Sequence, residues 1–137
     1  MSGLSDYAEA ATLNALLRGT NFVAPTVASL RLGLFTADPT DAGNLNEIAS
    51  GTWYTRQLTG AWSAPAPNGN GAQVCNNVAS VTFPAVTGQA VTVTHVGVYD
   101  ALNAGNCLFT APMLSPKTLQ PGDVLSFAPG TLAATLD

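Results

Sequence analysis

Residues 94–109 read THVGVYDALNAGNCLF and hold the types an enzyme would use. They are the chain's single histidine, His95, one of its two cysteines, Cys107, and a carboxylate, Asp100, between them. A cysteine nucleophile needs a base beside it to take its proton and a third group to orient that base. The spacing works against this. Apolar residues flanking a turn rich in Asn and Gly read as a β-hairpin, which sets Cys107 opposite Tyr99 or Asp100. His95 then lies four residues further down its strand, about 13 Å away at roughly 3.4 Å per residue, too far for proton transfer. No glycine-rich elbow or oxyanion cradle accompanies the three residues.

Metal chemistry is equally poorly provided for. Structural zinc takes close Cys/His pairs, and one histidine with two isolated cysteines, Cys75 and Cys107, cannot fill four positions without carboxylates. The acids fall singly and form no calcium loop. Asp38 and Asp41 flank a Pro-Thr turn and suit capping of the loop backbone. The NGNG run at 68–71 is followed by no Gly-Lys-Ser or Gly-Lys-Thr, so it is no phosphate loop. The expectation is a non-enzymatic protein with no catalytic, metal or cofactor-binding residues. The remaining candidates are Trp53, Arg56 and Trp62, read as a protein interface. Aromatic residues and arginine anchor such surfaces, although tryptophan also fills sandwich cores and stacks on sugar rings. Arg56 has Glu47, Asp100 or a neighbouring molecule as possible partners.

The elements that must position these residues can be read along the chain. Ser5 suits a helix cap, Asp6 and Glu9 the first turn, and Arg18 and Gly19 the end, giving a helix over residues 5–18. Leu13, Leu16 and Leu17 recur on one face of it, which reads as a stripe docked onto its own sheet or onto a neighbour. Strands are expected at 27–35, 53–62, 73–83 (two short ones or one bent), 91–99 and 107–114, with short closing strands at 124–127 and 131–136. Turn-rich loops fall at 36–51 and 63–71. One short helix and seven or eight regularly spaced strands describe a mainly β fold. The expected form is an antiparallel β-sandwich or jelly-roll-like domain with a short N-terminal α-helix, spanning 1–137 as a single unit.

Composition narrows the function. Charged residues make up 9% of the 137, against about 25% in an average soluble domain. The basic residues are Arg18, Arg31, Arg56 and Lys117, and the net charge is −4. Four scattered cations cannot form a phosphate-binding stripe, so nucleic acid is not an expected partner. No apolar run has the length of a membrane span, and the N-terminus has neither the basic nor the apolar region of a signal peptide. Synthesis in the cytosol, with reduced thiols, is the expectation; a Cys75–Cys107 bridge stays open for a protein that leaves the cell. Depletion of charge is typical of the core of protein interfaces, which points to a protein working within an assembly.

Five segments carry a family resemblance: LSDYAEAATLNALLRGTNF, LFTADPTDAG, VASVTFPAVTG, VTHVGVYDALNAGNCLF and SPKTLQPGDVLSFAPGTLAATLD. In this order, over nearly the whole chain, they resemble small structural proteins of tailed bacteriophages, tail-fibre-like or capsid-associated. The resemblance implies a β-rich virion component used in many symmetric copies, and brings no catalytic residue with it. Two features depart from the family pattern: Cys107, where a plain apolar or small residue is usual, and the long loop at 63–71. The leading expectation is a capsid decoration (cement) protein that binds the major capsid protein lattice, made in the host cytoplasm and carried in the virion. Self-association as a dimer or trimer is expected with it. The alternative is a tail fibre or baseplate appendage involved in host attachment, and a carbohydrate-binding or hydrolytic domain stands third. The absence of long repetitive shaft segments tips the expectation toward the shell.

Overall fold

The computed structural model describes residues 3–51 and 53–137. A two-residue strand, β1 (Gly3–Leu4), leads into helix α1 (Asp6–Arg18). The remaining strands are β2 (Arg31–Phe35), β3 (Gln57–Leu58), β4 (Ala66–Pro67), β5 (Gln73–Asn76), β6 (Val81–Thr82), β7 (Val91–Tyr99), β8 (Cys107–Leu119), β9 (Ser126–Phe127) and β10 (Ala133–Leu136). They form a five-stranded sheet in the order β1-β8-β7-β2-β3, a three-stranded sheet β10-β5-β4 and a pair β6-β9, antiparallel throughout. The fold is mainly β with one short N-terminal helix, as expected. Leu32 and Leu34 of β2, Val98 of β7 and Leu108 of β8 meet Val81, Phe83, Leu125 and Leu132 in one buried core, which lies between the large sheet and the smaller ones.

The two ends of α1 follow from its sequence. Ser5 is extended (φ −76°, ψ 161°) and its Oγ accepts the Ala8 N–H at 3.3 Å. Gly19 takes a left-handed conformation (φ 65°), and the Thr20 N–H reaches back to the Asn14 carbonyl at 3.1 Å. This closure suits glycine, which has no Cβ to strain there.

Of the two dockings expected for the leucine stripe, onto its own sheet or onto a neighbour, the first is not the one seen. Ala8, Ala11 and Ala15 turn toward the body of the protein, with Ala8 buried. Leu13, Leu16 and Leu17 lie on the opposite face and remain 58%, 77% and 78% exposed. The physical reason is the tether. The Ser5 N–H donates to the Leu108 carbonyl at 3.0 Å, the Ser5 hydroxyl donates to the Cys107 carbonyl, and the Asp6 N–H donates to the Asp41 carbonyl at 3.0 Å. The first turn is thereby held close against β8, where small side chains fit.

Other strands differ in extent. Residues 27–29 form a turn, so β2 begins at Arg31. The strand expected over 53–62 shrinks to Gln57–Leu58, with an isolated bridge pairing Trp62 with Asn77. Residue 52, at the edge of that expected strand, lies outside the described residues. β8 runs on to Leu119, five residues beyond the expected hairpin partner. β7 matches its expected bounds, and β5 and β6 are the two short strands of 73–83.

Candidate functional site

The hairpin of β7 and β8 keeps His95 and Cys107 apart. Tyr99 pairs with Cys107, whereas His95 pairs with Pro112 on one side and Phe35 on the other. His95 Nδ1 lies 2.8 Å from the Thr94 hydroxyl. Asp100 closes the turn: its Oδ1 accepts the Asn106 N–H at 2.7 Å and its Oδ2 accepts the Asn106 amide at 2.9 Å. Cys107 is buried and free, as is the thiol of the half-buried Cys75 in the other sheet. Burial pushes the Cys107 thiol up to about 11, with Glu47 adding to the effect and Arg56 opposing it. The group is therefore a protonated thiol at neutral pH and not the thiolate that nucleophilic chemistry requires.

The only ion pair among the described residues stands on the outer face of the large sheet. Arg56 Nε donates to Glu47 Oε1 and its Nη2 to Glu47 Oε2, both at 2.7 Å, in the two-pronged geometry a planar guanidinium favours. Its Nη1 donates to the carbonyls of Ala101 (3.1 Å) and Ala104 (2.7 Å) in the hairpin turn, and the guanidinium lies 3.4 Å over the Tyr99 ring. Burial works against the Arg56 charge, but the Glu47 hydrogen bonds and charge more than offset it, so its pKa is raised. The Tyr54 hydroxyl donates to Glu47 Oε1 at 2.7 Å and accepts the Leu34 N–H at 3.0 Å. Burial, reinforced by Glu47, raises the Tyr54 pKa. The cluster thus fastens the 36–51 loop, the 53–58 segment and the 100–106 turn to the sheet. Of the partners open to Arg56, Glu47 is the one it takes, and its donors are directed inward.

The same face explains two close approaches. Gly33 and Gly97 are cross-strand partners, and a Cβ at Gly97 would lie 2.8 Å from the Phe35 ring. The glycines let Phe35 and Tyr99 lie flat, stacked with centroids 6.3 Å apart. Gly43 (φ 63°) passes so near Cys107 that a Cβ there would lie 2.6 Å from Sγ, and its carbonyl accepts the Tyr99 hydroxyl at 2.5 Å. A small side chain at 107 is therefore part of how the 36–51 loop seats.

Two apolar surfaces remain. The first is a cleft of about 540 Å³ that opens where β8 and β10 form the neighbouring edges of the two larger sheets. Trp62, Val96, Phe109, Met113, Phe127 and Leu132 line it, all but Leu132 only partly buried. β1 covers β8 at Phe109 and Thr110 alone. Beyond them β8 leaves register: His95 pairs with Pro112 but Val93 with Lys117, so residues 113–116 bulge outward and Leu114 is fully exposed. The second surface is the leucine face of α1. Each leucine left in water forgoes about 1.5–3 kcal/mol of burial, and the three lie together on one face of the helix.

The expected interface residues are divided among these features. Trp62 lies at the cleft, its indole N–H donating to Thr59 Oγ1 at 3.2 Å. Trp53 packs against the core and edge-on to Tyr54, with centroids 5.7 Å apart. Arg56 is in the ion pair, its side chain 10% exposed. Sequence reasoning missed the cleft and left open the outward leucine face. A signal for the latter existed, because Ala8, Ala11 and Ala15 form a helical stripe of their own.

Among protein families, residues 3–135 match the one described as podophage GP4 fiber I protein gp80. No curated protein matches the chain.

Proposed function

The chain belongs to the family of the podophage GP4 fiber I protein gp80, and from that membership we propose that it is a non-enzymatic part of a podophage virion, carried on the fibre apparatus. The observation that carries this reading is a family match covering nearly the whole chain. The site chemistry agrees with it. The thiol is held protonated and apart from the histidine, while the strongest polar cluster ties loops to the sheet and engages four of the five N–H donors of Arg56 within the chain. Such a domain is a rigid block with surfaces for neighbours. Trp62 contributes to one of those surfaces; Trp53 and Arg56 stiffen the frame behind it.

The capsid decoration reading drew on low charge and the lack of a fibre shaft, and both suit a short fibre module equally well. It predicts a different location and copy number. Immunogold labelling of virions with antibody to this chain is expected to mark the tail or its fibres, at about six to eighteen copies per particle for a component of closed symmetric rings. Labelling spread over the shell, with hundreds of copies, would replace the fibre reading with the decoration one. A carbohydrate-binding domain should expose both tryptophans in one groove, and Trp53 is packed against the core.

A further inference from the structure

Two uncovered apolar surfaces among the described residues complement one another, and we infer that the β8–β10 cleft receives α1 of a second copy, inserted leucine face first. The inference rests on the virion-structural reading above and names the surface through which copies join.

The backbone of the cleft edge selects the kind of occupant. A strand added to β8 would need a continuous row of hydrogen-bonding groups. Pro112 and Pro116 carry no N–H, and the bulge at 113–116 takes the backbone between them out of register. A helix satisfies its own backbone and needs only apolar contact and a place for its charges. The 13 residues of α1 make a rod about 20 Å long, and only its leucine face needs to enter the cleft for the apolar surfaces to meet.

Charge selects this helix in particular. Asp6 and Glu9 are exposed on the same face of α1 as the three leucines. The cleft lining contains one charged residue, Lys117, which is exposed and forms no ion pair among the described residues. An acidic apolar helix thus meets an apolar cleft with a cation at its rim. The chain's own helix cannot fill this role. It is anchored at the Cys107–Leu108 end of β8 and contributes no residue to the cleft. The contact is therefore heterologous, helix of one copy to cleft of the next, and it closes into a ring when the rotation permits.

The test uses purified full-length protein in sedimentation velocity, with circular dichroism to verify folding. Wild type is expected to associate. Leu16→Ser with Leu17→Ser removes the helix surface, and Leu114→Asp with Lys117→Glu removes the cleft surface; all four residues are exposed, so each variant keeps its fold. Each variant alone is expected to weaken association about a hundredfold or more. Mixed together they are expected to form a one-to-one heterodimer, because each retains the half the other lacks. Glu9→Lys is expected to restore part of the association lost in Lys117→Glu. A wild-type protein that is monomeric at every concentration, or variants that fail to pair when mixed, overturn the inference. Variants that stay associated on their own do so as well. These outcomes are independent of where the protein sits in the virion, so the inference can fail while the fibre reading stands, and the reverse.

Discussion

Replacing Arg56 by Met keeps an aliphatic stem and deletes the guanidinium that lies over the Tyr99 ring, which isolates what the charge does. Three groups lose their Arg56 bonds at once: the Glu47 carboxylate, left with the Tyr54 hydroxyl, and the carbonyls of Ala101 and Ala104. Glu47 is 22% exposed on its side chain, so water recovers part of the loss but not all of it. Breaking one partner out of a buried pair costs about 3–5 kcal/mol, and the partial exposure places this case near the lower end, about 3 kcal/mol. For a chain of this length, an unfolding entropy of roughly 2.1 cal/mol/K per residue converts this to a fall of about 10 °C in Tm. The assay is urea denaturation of wild type, Arg56→Met, Glu47→Met and the double variant, with Arg18→Met on the exposed helix as control. The double variant is expected to be clearly more stable than the sum of the singles predicts, because it leaves no uncompensated charge. A cost below about 1 kcal/mol for Arg56→Met, or strict additivity in the cycle, would refute the view that this cluster fastens the loops.

Three further outcomes follow from the same region. Gly43→Ala forces a Cβ against Cys107 at a positive φ and is expected to lower stability by about 2 kcal/mol; adding Cys107→Ala should relieve the Sγ contact and recover only a part of this, because the Cys107 Cβ is the nearer atom and remains, as read from urea midpoints. Alkaline pH should destabilise the fold, because Cys107 holds its proton up to about 11 against an ordinary 9.0. The unfolded chain releases that proton first, so this contribution is complete below pH 9 and lost progressively to pH 11, about 2–3 kcal/mol in all; Cys107→Ala should flatten the corresponding fall in urea midpoint. Thiol labelling of the native protein should modify the half-buried Cys75 first, with Cys107 reacting only on unfolding; equal rates at both positions, measured by mass spectrometry, would contradict the packing around Gly43.

Much of the frame was legible because it is local. Ser5 and Gly19 mark the helix ends through hydrogen bonds made within one or two turns, and the β7–β8 hairpin announces itself by alternation around an Asn-Gly turn. The mainly β character followed from such signals, as did the separation of His95 from Cys107. What was not legible depends on contacts between segments far apart in sequence. The leucine stripe of α1 is periodic whichever way it faces, and its orientation is decided by Ser5 bonding to residues 107 and 108. The choice of Glu47 by Arg56 needs the 36–51 loop to fold back over β2. The cleft comes from edges of two sheets, β8 and β10, that no short window relates.

The prolines of β8 bear on how many copies can join. An open edge that accepts a strand offers a fresh edge in turn, and growth by that route has no internal stop. At β8 the route is closed at Pro112 and Pro116, whatever the local concentration of chain. At this edge a subunit can add only by bringing a folded element with its backbone already satisfied, and each such addition consumes one cleft. The size of the assembly then becomes a matter of angle, set by the pose of α1 relative to its own sheet, and a particle can count its subunits without any other part measuring them.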